Sequence, residues 1–62
     1  MESKFKILRN EKKLTQMAVA IKAGCSLALI HWVDNGYVPA MPSKKKLAKA
    51  LGVEVQEIWP EE

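Results

Sequence analysis

Histidine, cysteine, aspartate and lysine are the residues of this chain that could do chemistry, and their spacing limits what that chemistry is. There is one histidine, His31, and one cysteine, Cys25. Asp34 follows His31 by three residues, close to one helical turn. Covalent catalysis needs a nucleophile, a base and an orienting group within hydrogen-bond reach. The pattern puts Cys25 inward and His31 outward, so no such set forms and the chain reads as a non-enzyme. His31 and Asp34 together offer only two metal ligands, short of a tetrahedral site. No metal and no cofactor are expected. Cys25 reads as a small buried hydrophobe, with no second cysteine to pair with.

Lysine is left. The run Lys44, Lys45, Lys46 suits phosphate neutralisation, in which each contact releases counterions from a polyanion. It equally suits a solvated, solubilising face. Charge distribution sharpens the question. Up to Lys49 there are ten basic residues against three acids, and from Ala50 onward there are four acids and no base. A basic body with an acidic end points to a polyanion on one side.

The elements that must position these groups can be read from caps and apolar spacing. With 62 residues, one small domain over 1–62 is the most the chain can form. Ser3 caps a first helix, roughly Lys4 to Lys12, with Phe5 and Leu8 inward. Thr15 caps a second, about Gln16 to Ala23, which Gly24 stops. Ser26 caps a third, about Leu27 to Asp34, which Gly36 ends. After a proline-punctuated loop, a fourth helix runs from Met41 to Leu51 with Gly52 as its stop. Its inner face is Met41, Leu47, Ala48 and Leu51, and Lys44, Lys45, Lys46 and Lys49 are expected outside. A short fifth helix spans about Glu54 to Ile58. No strand pattern is present. No apolar run approaches the roughly 18 residues of a membrane span, and no signal-peptide core is seen. A soluble protein of the cytoplasm, with no membrane partner, is expected.

Two short helices joined by a tight turn cross steeply, and the crossing tolerates only small or apolar residues at certain positions. Val19, Ala20, Ala23, Gly24, Cys25, Ile30 and Val33 satisfy those positions together, which marks a helix-turn-helix formed by the second and third helices. Leu8-Arg9, "LTQ" at Leu14 to Gln16, "KAG" at Lys22 to Gly24, Ser26, Ile30, "DNG" at Asp34 to Gly36 and "LAKALGV" at Leu47 to Val53 complete a pattern over about Phe5 to Trp59. On these residues the chain resembles the Cro and phage-repressor type of helix-turn-helix domain, the XRE-like family. The resemblance implies an all-α, lambda-repressor-like bundle of five short helices. It implies a small prokaryotic or phage transcriptional regulator of repressor type, bound to double-stranded DNA with its third helix in the major groove. Members usually bind as dimers, and the small footprint of one such domain adds the expectation of a weak homodimer, formed near the fifth helix and Trp59, in solution or only on DNA.

Carried over residue by residue, the resemblance makes Leu27, Ala28, His31 and Trp32 the base-reading set. Gln16, Ser26, Asn35 and Gly36 become phosphate contacts, joined by Lys44, Lys45 and Lys46. Arg9 and Asp34 correspond to a partly buried ion pair that tethers the first helix to the end of the third. The family usually has Glu at the second position, so the shorter Asp34 is expected to give a longer or water-bridged pair. Lys44 stands where an apolar core residue is common. Met17, Ile21, Leu27 and Leu29 are apolar where family members are often polar. This surface has three readings: packing on thymine methyls, a protein interface, or the core edge. The alternative to a DNA reader is therefore a protein-interaction module on the same fold, antitoxin-like or partner-binding.

Overall fold

A computed structural model describes residues 3–60. Among them the chain forms five helices and no strand: α1 (Lys4–Glu11), α2 (Gln16–Ala23), α3 (Leu27–Asp34), α4 (Met41–Leu51) and α5 (Val55–Ile58). The all-helical, five-helix expectation holds. The boundaries follow side-chain chemistry. The Ser3 Oγ accepts the Lys6 N–H, the Thr15 Oγ1 accepts the Ala18 N–H, and the Ser26 Oγ accepts the Leu29 N–H, at 3.0–3.1 Å. Each cap satisfies a donor that the first turn would otherwise leave open. Glu54, expected inside the last helix, is instead its N-cap, and the Glu57 carboxylate accepts the Glu54 N–H at 2.8 Å.

Gly24 adopts φ +68° and ψ 33°, the left-handed conformation that turns the chain out of α2. Its N–H reaches back to the Ile21 carbonyl, and the Cys25 N–H to that of Ala20. Across this turn the axes of α2 and α3 bend by 119°, within the range of helix-turn-helix units. Ala20 is buried where the two helices meet.

The core is Phe5, Val19, Ala20, Ala23, Ile30, Val33, Leu47, Ala48, Leu51 and Ile58. α2 packs on both α3 and α4, α1 packs on α3 and α5, and α4 packs on α5. Cys25, expected in the shared core, is only partly buried against it, with Sγ 3.7 Å from the Ala23 carbonyl oxygen. Met41 departs from the expected inner face of α4 and stays exposed in its first turn. Lys44 takes the inward place, only 4% exposed, with Nζ 5.6 Å from the centroid of the Trp59 ring. That ring also stacks with Phe5 at 6.5 Å and 16°. A cation over an indole recovers part of the cost of leaving water. No single helix among the described residues is long and apolar enough to cross a membrane.

A Cβ added at Gly24 would meet no atom within 4 Å, so a substitution there is strained by the backbone alone. Gly24→Ala and Gly24→Val are expected to destabilise the domain by about 1–2 kcal/mol, Val more than Ala. Thermal melts should show a fall of roughly 4–8 °C per kcal/mol in a domain of this size. An unchanged melting temperature for Gly24→Val would remove the turn's role in the fold.

Candidate nucleic-acid interface

α3 divides its residues sharply. Ile30 and Val33 are fully buried, and Leu29 is partly buried against the core. Leu27, Ala28, His31 and Trp32 are exposed, and their spacing puts them on one side of the helix with Asn35. Trp32 keeps 57% of its surface exposed and Leu27 43%. The four expected base-reading residues are therefore brought together on one open face.

The end of that face is shaped by residues the sequence reading passed over. Tyr37 lies in the loop after α3, its N–H donating to the Trp32 carbonyl at 3.0 Å. Its ring meets Trp32 edge-on, with centroids 6.2 Å apart and planes at 70°. This is a favourable aromatic geometry, and it supports an otherwise exposed indole. Val38 follows and is exposed as well. A tyrosine directly after the helix-ending glycine was the available signal. The Asn35 Nδ2 donates to the His31 carbonyl at 2.9 Å and lies 3.4 Å from the His31 Nε2. Ser26 is exposed but spends its hydroxyl oxygen on the cap of α3.

Behind this face sits the expected ion pair, in a tighter form than expected. The Arg9 Nη2 donates to the Asp34 Oδ2 at 2.6 Å and the Arg9 Nε to Oδ1 at 3.3 Å. The pair is direct and bidentate, so the missing methylene of Asp34 opens no gap. Both side chains are buried. The third donor, Arg9 Nη1, holds the Leu14 carbonyl at 2.7 Å. The Gln16 Nε2 also donates to the Asp34 Oδ2, at 2.7 Å. Gln16, expected to point at a phosphate, is thus engaged with a carboxylate inside the protein. Among the described residues, no buried side-chain nitrogen or oxygen lacks a partner.

The lysine run does not act as a unit. Lys44, expected on the outer face as a phosphate contact, is instead buried. Lys45 lies among Glu54, Val55 and Gln56 at the junction of α4 and α5. Lys46 faces a different groove, shared with Lys22 and Lys49. Successive helical residues point about 100° apart, so three adjacent lysines face three directions. Among the described residues, no group of three or more His, Cys, Asp or Glu side chains is placed to hold a metal ion.

Removing Asp34 leaves Arg9 buried without its partner. Asp34→Ala is expected to cost about 3–5 kcal/mol, a large part of a small domain's stability. Gln16→Ala removes one hydrogen bond to a charged group and is expected to cost about 1.5–3 kcal/mol. Urea unfolding of the two variants checks this. A loss below about 1 kcal/mol for Asp34→Ala would show that the pair is not a buried tether.

The chain is 35% identical over 60 residues to an immunity repressor protein of Bacillus phage phi105. That match takes in 95% of this chain and 42% of the repressor, so the chain spans about two fifths of its curated relative. No family model matches the chain, and no solved structure matches it. By sequence the chain is similar to a phage repressor over nearly its whole length.

Proposed function

We propose that this chain is a small, non-enzymatic transcriptional regulator of repressor type that binds specific double-stranded DNA, with α3 in the major groove. The observation that carries this is the exposed face of α3, held at 119° to α2 and rigidly backed by buried Ile30 and Val33. A helix presented this way fits the major groove, whose width admits one α-helix. The likeness to an immunity repressor supports the same reading, as does the resemblance to Cro-type, XRE-like domains. In this role Leu27 and Ala28 pack on thymine methyls, His31 offers a ring nitrogen to a base edge, and Trp32 covers the neighbouring step. Ser26, Asn35 and Gly36 approach the sugar–phosphate backbone through exposed loop and helix-end positions. Gln16 contributes after giving up its bond to Asp34, or through the N-terminus of α2. Such a footprint is small, so two copies bind half-sites about one helical turn apart, as a weak homodimer completed on DNA. The protein works in the cytoplasm, where its operator is.

A second reading has its own observation. Met17 and Ile21 lie one turn apart on α2 and are 54% and 73% exposed. An apolar stripe of that kind on a charged domain suits a protein partner. The two readings separate by which substitution destroys which activity.

Selection from a random duplex pool at two salt concentrations should return a motif rich in A·T pairs. Trp32→Ala is expected to change the preferred base at one position, at a cost of about 1–3 kcal/mol to specific binding, while sparing most non-specific affinity. Trp32 fluorescence in a Trp59→Phe background should be quenched or shifted on binding. If Trp32→Ala leaves the selected motif unchanged and Met17→Ser with Ile21→Ser abolishes binding to a protein partner, the second reading replaces the first.

A further inference from the structure

The lysine run conceals a second set that the helical turn assembles. Lys46 and Lys49 are three residues apart on α4 and share one side of it. Lys22 comes to them from the last turn of α2. With Ala23 and Ala50 they line an open groove of about 450 Å³ between the two helices. Its lining contains no carboxylate and no residue of α3, so it is separate from the face described above. All three lysines are exposed. Three like charges around one groove repel each other, and an anion relieves that repulsion. The end of α2 would oppose an anion through its dipole. Here the carbonyls of Ala20 and Ile21 already accept from Gly24 and Cys25, which blunts that opposition.

We infer that this groove is a second phosphate-binding surface, which takes backbone phosphates of duplex DNA beyond the segment that α3 reads. The inference rests on the DNA-binding reading above. Its lining favours a polyanion over a small enclosed ligand. The charged groups are ammonium ions on flexible stems, without the planar fork of an arginine that would select one anion by geometry. The two alanines keep the floor low and bring no side-chain donor. Each strand of duplex DNA carries about one charge per 3.4 Å of the axis, so two or three phosphates of one strand can pass the groove at once. Lys44 is buried and Lys45 does not line this groove, whereas Lys49 stands on the ridge between it and the neighbouring groove that holds Glu54.

The test is the salt dependence of binding to a duplex of about 21 base pairs, two helical turns, followed by fluorescence anisotropy. Three proteins are compared: the unaltered chain, Lys22→Gln/Lys46→Gln/Lys49→Gln, and a control with the same charge loss, Lys4→Gln/Lys12→Gln/Lys13→Gln. Each lost phosphate contact lowers the slope of log K against log salt by about 0.9. The groove variant is expected to lose about 2–3 units of slope, the control less than about 0.5, with the selected base motif unchanged in both. Thermal melts check that both variants are folded. If the triple variant melts early, Lys49→Gln alone should still lower the slope by about 0.9. An unaltered slope in the groove variants, or an equal fall in the control, would overturn the groove while leaving the DNA-binding reading intact. An unaltered chain that retains no duplex at low salt would overturn both.

Discussion

The buried contact between Arg9 and Asp34 adds a directed polar tie between helices that the apolar core already packs together. Arg9 belongs to α1, Asp34 ends α3, Leu14 lies in the turn before α2 and Gln16 begins α2. One carboxylate and one guanidinium hold all four positions through hydrogen bonds of 2.6–3.3 Å. The Ser3 N–H also donates to the Asp34 backbone carbonyl. An apolar core sets how close the helices come, but it has little directional preference. This polar knot adds direction. It ties the start of α2 to the end of α3, and so fixes the frame in which the outward face of α3 is presented. Neither partner tolerates being left alone in the interior, so the two positions are free to vary only as a pair.

Much of the fold was legible because it is locally encoded. Ser3, Thr15 and Ser26 sit one residue before their helices, and Gly24 and Gly52 one residue after theirs, so the starts of α1, α2 and α3 and the ends of α2 and α4 could be read directly. The exposure of Trp32 was legible as well, because Ile30 and Val33 already filled the inward stripe. Lys44 was not. Its charge argued for solvent, while its phase on α4 pointed into the core, and the indole of Trp59, fifteen positions later, resolves the conflict. That partner is a tertiary fact with no local trace. The same holds for Lys22, which reaches Lys46 and Lys49 only because α2 packs on α4. The Arg9–Asp34 pair was located correctly but its length was misjudged, since reach depends on how near the backbones come as well as on side-chain length.

The outward surface of α3 is apolar and aromatic where a helix proposed to read bases would ordinarily be polar, and its aromatic corner suggests how that surface is tolerated. Trp32 does not stand alone: Tyr37 lies edge-on against it, and the loop backbone bonds to the Trp32 carbonyl. An indole buttressed in this way loses less rotamer freedom when it docks, so more of its contact area is available as affinity. Apolar contacts of this kind discriminate weakly between similar partners. In the proposed role, contacts to the sugar–phosphate backbone would then carry more of the positioning.

The turn at Gly24 also acts mechanically. α3 is eight residues long, so it extends about 12 Å from the turn. A tilt of about 10° at Gly24 would carry the far end of that lever through about 2 Å, and Trp32, two residues short of the end, through about 1.5 Å. Hydrogen bonds to base edges are made within a window of about half an ångström. The angular stiffness of three linking residues, Gly24, Cys25 and Ser26, thus sets the tolerance with which the outer surface of α3 can register against any rigid partner.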